Sequence, residues 1–106
     1  EAASRAGIKT ISGKATKLTK ARYFPGATPL TLKLIFDAYT KKLIGAQMVG
    51  EVTVAERVNE LGLAIRAGIT AEEIRSMERC YDPSLALLVD VTIDAATEAL
   101  GITPVY

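Results

Sequence analysis

The 106 residues include no histidine, no tryptophan and a single cysteine, Cys80. Without histidine no Ser-His-Asp or Cys-His constellation can form, and one cysteine allows neither an internal disulfide nor the usual structural zinc sets. No metal site is expected. No apolar run approaches the ~18 residues of a membrane span. The opening EAASRAGIKT also lacks the basic segment and apolar stretch of a signal peptide. An unpaired cysteine without an export signal suggests a cytoplasmic protein. Charge is sparse and balanced, with 13 Lys+Arg against 12 Asp+Glu, while 49% of the residues are hydrophobic, which excludes a disordered tail. The length fits one small domain. In so short a chain a mean hydropathy of +0.22 implies more apolar surface than one core hides, so a partner subunit or domain is expected. A start at Glu1 rather than Met reads as a piece of a longer polypeptide.

The cleanest periodicity is Leu30, Leu32, Leu34 and Phe36 alternating with Thr31, Lys33, Ile35 and Asp37, which predicts a strand over 30–37. After a short polar stretch from Ala38 to Lys42, the run Leu43 to Val49 predicts a second strand, paired with the first as an antiparallel hairpin. Residues 13–23 mix Thr, Lys and Ala and predict a third strand at or near an edge, where regularly placed lysines discourage further pairing.

Past Gly50 the period changes: Val54, Val58, Leu61 and Ile65 mark one stripe of a helix that Gly68 stops. Thr70 and Glu73 have the spacing of a capping box, with Ile69 and Ile74 placed as a hydrophobic staple, and a short helix over about 71–78 follows. From Asp82 to Val89 two readings stand. Either a helix starts at Pro83, or a buried loop leads to one starting near Asp90. A last helix covers Val91 to Leu100, with Ile93, Ala96 and Leu100 on one stripe and Gly101 and Pro104 ending it. Strands followed by helices imply an α+β domain, an antiparallel sheet of three or more strands with helices packed on one face.

Few residues carry a chemical signal. Gly45 and Gly50 in GAQMVG lack the Lys-Ser/Thr pair of a phosphate loop and read as strand-end and turn glycines. Lys9, Lys14, Lys17, Lys20 and Arg22 form a basic stretch, but with a net charge of +1 they read as a solvated strand face rather than a nucleic-acid track. Cys80 has no general base of the histidine type and reads as a small structural hydrophobe. Tyr23, Phe24 and Tyr81 each stand just before a proline that fixes the chain beside the ring. Such a tyrosine packs as an amphipathic anchor or offers its hydroxyl to an anion, with packing the first reading. Two further readings remain beside these, a free-standing module that binds a small ligand or a protein through the aromatic cluster, and a basic nucleic-acid binder through Lys14, Lys17 and Lys20.

Read in order, the YFPGATPLTLKLIFD segment (23–37), LIGAQMVG (43–50), AIRAGIT (64–70) and Cys80-Tyr81-Asp82-Pro83 resemble the C-terminal dimerisation domain of the pyridine nucleotide-disulfide oxidoreductases. The resemblance runs from about residue 7 to residue 100 and is nearest to the NADH oxidase, NADH peroxidase and coenzyme A-disulfide reductase branch. It implies a domain, spanning residues 1–106, that forms a homodimer in a flavoenzyme whose FAD and NAD(P)H domains lie upstream in the same polypeptide. No cofactor is expected in this segment, and alone it is catalytically silent. By motif, Tyr23 and Tyr81 correspond to tyrosines that cross the dimer interface toward the partner's redox cysteine, where their hydroxyls would stabilise a thiolate. Ser84 follows Pro83 and Val91 follows Asp90 where the family often carries proline. The His-Glu acid-base pair of the glutathione reductase branch is excluded by the lack of histidine. The resemblance leaves the acceptor open among oxygen, peroxide, coenzyme A disulfide and polysulfide.

Overall fold

Strict alternation turns Leu30, Leu32, Leu34 and Phe36 to one face of their strand, and all four are buried while Lys33 between them is exposed. The computed structural model of the chain describes residues 2–18, 25–51, 54–76 and 90–102. Along these run α1 (Ala2–Arg5), β1 (Thr10–Leu18), β2 (Pro29–Asp37), β3 (Leu43–Gly50), α2 (Val54–Ala67), α3 (Ala71–Ser76) and α4 (Val91–Ala99). The strands form one antiparallel sheet in the order β1-β2-β3, giving the expected α+β fold with β1 at an edge. The inner face of β2 meets Leu43, Leu61, Ala71, Ile74, Val91, Ala95 and Ala96 in a single core.

β1 begins at Thr10 rather than at Gly13, because Thr10, Ile11 and Ser12 find partners in Asp37, Phe36 and Ile35. Gly13 is a mid-strand contact point instead of a boundary. A Cβ there would overlap the Ala95 carbonyl oxygen and lie 2.6 Å from the Ala99 nitrogen, so only glycine lets α4 lie this close to β1. The far end of the expected third strand, residues 19–23, lies outside the described residues. α4 also guards the β1 edge: Glu98 Oε2 accepts the Lys14 backbone N–H at 2.8 Å, and Lys17 Nζ pairs with Asp94 Oδ2 at 2.9 Å. Of the basic stretch, then, Lys9 and Lys14 are exposed and Lys17 is engaged with a helix.

The β2-β3 connection is built by Asp37, whose Oδ1 accepts the Tyr39 and Thr40 N–H groups at 2.8 and 3.0 Å. Lys41 turns the chain back with φ 63°, its N–H bonding the Asp37 carbonyl at 2.9 Å. Ile35 pairs with Gly45 and Phe36 with Leu43, which leaves Ile44 as a bulge residue.

Three helices end in the same way. Gly7, Gly68 and Gly101 adopt positive φ, and in each case the next residue bonds a carbonyl five positions back: Ile8 to Ala3, Ile69 to Ala64, Ile102 to Thr97. The capping box is present as expected, with Glu73 Oε1 accepting the Thr70 N–H at 3.0 Å and Thr70 Oγ1 accepting the Glu73 N–H at 3.2 Å. Of the helix expected over 71–78, Ala71–Ser76 is helical; residues 77–78 lie outside the described residues. The last helix starts where expected, with Asp90 as the N-cap of α4; the two readings of residues 82–89 fall outside the described residues.

Two apolar stripes need correction. On α2 the inward residues are Val54, Arg57, Leu61 and Ala64, while Val58 and Ile65 are 50% and 38% exposed. The helix is rolled toward Arg57 because a buried partner neutralises that side chain. On α4 the buried positions are Val91, Thr92, Ala95, Ala96 and Thr97; of the expected stripe Ala96 is buried, Leu100 is half-buried against the core, and Ile93 is half-buried. Small residues face the sheet there because the helix backbone approaches β1 too closely for larger ones. The first short helix, α1, carries no apolar period and was not anticipated.

Candidate functional site

Tyr23, Phe24, Cys80 and Tyr81 lie outside the described residues, as does the apolar run from Leu85 to Val89. The described positions that flank them are Pro25 and Gly26, leading into β2, and Ser76 and Asp90, where α3 ends and α4 is capped.

Asp90 is the chemical centre of this end of the molecule. It is 3% exposed, with extended backbone (φ −70°, ψ 156°), and its Oδ2 accepts from three donors. These are the Thr92 N–H at 3.2 Å, the Thr92 hydroxyl at 2.8 Å and Arg57 Nη1 at 2.6 Å. The first two cap α4, since an aspartate in extended conformation satisfies an otherwise orphaned first-turn N–H. The third ties that cap to the side of α2. Arg57 is itself 9% exposed, so the pair is buried on both sides. Desolvating two charges costs several kcal/mol, and the attraction between them repays that only with additional hydrogen bonds of the kind Thr92 supplies. The sequence reading did not single out Arg57. The available signal was its place three residues after Val54 and four before Leu61, in line with the apolar stripe.

Beside the ion pair, α2 and α3 enclose an apolar groove of about 250 Å³ lined by Leu61, Leu63, Ala64, Ile69 and Ile74, with Thr92 of α4 at its edge. Leu63 is 71% exposed at its rim. The opposite face of the sheet differs in character. There α1 lies beside Thr10, Ser12, Lys33 and Gln47, and a shallow polar groove of about 230 Å³ results. At the hairpin, the Asp37 carboxyl is held below its ordinary value, because the Thr40 and Tyr39 N–H groups stabilise its charge.

A dinucleotide cofactor needs glycine-turned N–H groups at a helix N-terminus to cradle its phosphates. Gly45 and Gly50 do not supply them, because both lie within β3 rather than in a loop. These two glycines therefore form no phosphate cradle. Among them no group of three or more His, Cys, Asp or Glu side chains comes together to hold a metal ion, and no helix is long and apolar enough to cross a membrane.

The family model of the pyridine nucleotide-disulphide oxidoreductase dimerisation domain matches residues 1–104. The chain belongs to this family. This dimerisation domain is 39% identical, over 88% of its length, to an NADH oxidase of Methanocaldococcus jannaschii, of which it spans 20%. It is 30% identical over 72% of its length to a coenzyme A disulfide reductase of Staphylococcus aureus, spanning 18% of that protein. Among solved structures, an NAD-dependent persulfide reductase from A. fulgidus superposes on 94% of the domain with a TM-score of 0.87 and 33% identity, the match covering 19% of that chain. The dimerisation domain thus corresponds to about a fifth of the length of each of these relatives.

Proposed function

We propose that the chain is the C-terminal homodimerisation domain of an FAD-dependent NAD(P)H oxidoreductase of the NADH oxidase or coenzyme A-disulfide reductase type, and that it completes the active site across the dimer. The observation that carries this reading is the match to the NADH oxidase over nearly the whole domain, joined to the close superposition on the persulfide reductase. FAD and NAD(P)H are assigned to upstream domains of the same polypeptide, in keeping with the oxidoreductases to which the domain is similar. The domain contributes surface rather than redox chemistry. Exposed Val58, Leu63 and Ile65 on α2 supply apolar area of the kind a twofold interface covers.

In this reading Tyr23 and Tyr81 reach the redox cysteine of the partner subunit, where a phenolic O–H donates to a thiolate and lowers the cost of its charge. The test is the full polypeptide with phenylalanine at both positions, assayed for NADH-dependent reduction of coenzyme A disulfide. Loss of the two hydroxyl donors to the reacting charge predicts a fall in kcat of at least about 10²-fold with little change in KM for NADH. An unchanged kcat removes the tyrosines from the mechanism and leaves the dimerisation role standing.

A further inference from the structure

The register of the sheet sets out its outer face in rows: Thr16, Thr31 and Val49; Lys14, Lys33 and Gln47; Ser12, Ile35 and Gly45. The middle row puts two lysines directly opposite one another. The Lys14 backbone N–H is given to Glu98 at 2.8 Å rather than to β2, so Lys14 and Lys33 are a non-hydrogen-bonded pair, the kind whose side chains stand closest. Like charges placed in this way destabilise a sheet, and neither ammonium makes an ion pair among the described residues. The neighbouring row is self-sufficient by contrast, its Thr16 and Thr31 hydroxyls hydrogen-bonding each other at 2.8 Å.

On the other side of the lysine row the face becomes concave, where α1 and the sheet enclose the polar groove of about 230 Å³. Lys33 and Gln47 stand at this groove with Ser4, Thr10 and Ser12, and none of these side chains is hydrogen-bonded among the described residues. Ile35, Ile44, Ala2 and Ala3 make an apolar wall, and Gly45 leaves the space beside Ile35 open. Two ammonium groups beside hydroxyl and amide donors match a dianion with several acceptor oxygens. A phosphate monoester carries a charge of about −1.5 to −2 near neutral pH and three such oxygens, whereas a carboxylate offers a single charge and two. We propose that this face binds a small organic phosphomonoester, with Lys33 and Lys14 on the phosphate, Ser12 and Gln47 hydrogen-bonding it, and the organic part against Ile35, Ile44 and α1. The bound dianion relieves the repulsion that the free sheet carries, and the apolar wall selects an ester over free phosphate. The site is made by the domain's own sheet and does not depend on the oxidoreductase assignment.

The test is lysine footprinting of the full polypeptide with an acetylating reagent at constant ionic strength, each modified lysine being located by mass. Phenyl phosphate is the probe, and inorganic phosphate forms a second arm. At about 10 mM phenyl phosphate, roughly ten times the Kd of about 1 mM expected for so small a ligand in a shallow site, acetylation of Lys14 and Lys33 should slow about ten-fold. Lys9 and Lys42, exposed but outside the lysine row, should react as before. Inorganic phosphate, with nothing to lay against the isoleucines, should bind about five-fold more weakly and protect correspondingly less. Lys33→Gln should leave Lys14 unprotected. Gly45→Val keeps both lysines, and a Cβ at this position lies 3.5 Å from Ile35 Cδ1, an ordinary contact, so the fold is retained while the groove is filled. Protection of Lys33 by phenyl phosphate should then fall to the level that inorganic phosphate gives. Equal slowing at Lys9 and Lys42, or none at Lys14 and Lys33, overturns the inference, as does full protection in either variant. Equal protection by the two phosphates overturns the assignment of an ester. Lys14 and Lys33 already unreactive without any probe would give this face to the rest of the polypeptide, and the inference would fall with it.

Discussion

Gly13 carries the tightest steric demand among the described residues, since the backbone of α4 occupies the space its side chain would need. Because the obstacle is backbone and not the flexible end of a side chain, Gly13→Ala should lower stability by about 1–3 kcal/mol or more, read as a reduced urea midpoint with an unchanged m-value. Asp37 acts by charge. Its folded value is lowered by the Thr40 and Tyr39 N–H groups, so it favours the native state at neutral pH and that contribution is lost as pH falls through the lowered value. Asp37→Asn should thus be less stable than wild type near pH 7, and the difference should shrink below the ordinary carboxylate value of 3.8. Thermal melts of the two proteins across pH 2.5–7 check this, and a constant difference would show that the carboxylate charge is not what holds the hairpin. Both residues were visible in the sequence. Their roles were not, since Gly13 resembles any strand-start glycine and Asp37 any turn aspartate until the neighbouring backbone is in place.

The elements themselves were largely legible, and for local reasons. Period two gave β2, a glycine after an apolar stripe gave the ends of α2 and α4, and Thr70-x-x-Glu73 gave the start of α3. Each signal lies within a few residues of the feature it predicts. Thr70→Ala removes one half of the capping box and should cost about 1 kcal/mol, measurable by urea denaturation, with the larger share arising at α3 and the Ile69 turn that docks on β3. The faces were read less well than the elements. Val58 and Ile65 were assigned inward and Arg57 was passed over because periodicity counts apolar residues alone. The neutralising partner of Arg57 is Asp90, on another helix and far along the chain. Similarly, of the stripe expected on α4, Ala96 is buried in the core and Leu100 packs half-buried against it, but Ile93 is only half-buried, and β1 meets α4 at Ala95 and Ala99 beside Gly13, where there is no room for a side chain on the strand.

The molecule as a whole hides a core between one sheet face and three helices, yet leaves α2 with Val58, Leu63 and Ile65 exposed. If this surface meets a second copy, sedimentation equilibrium of the 106-residue chain should show a concentration-dependent dimer, and Leu63→Glu should weaken it by at least about ten-fold without lowering the melting temperature of the monomer. A strict monomer at high concentration would assign the exposed surface to the upstream domains of the same polypeptide. The sequence by itself determined the class of fold, the order and type of the main elements, their caps, and through ordered motifs the family. Those features depend on backbone preferences and side-chain period, which act between near neighbours. Only the tertiary structure decided which residues face inward, that Gly13 is a helix-strand contact, that α4 closes the edge of β1, and that Arg57 and Asp90 are joined. Each of these depends on the distance between segments remote in sequence, and that distance is set by packing rather than by any local preference.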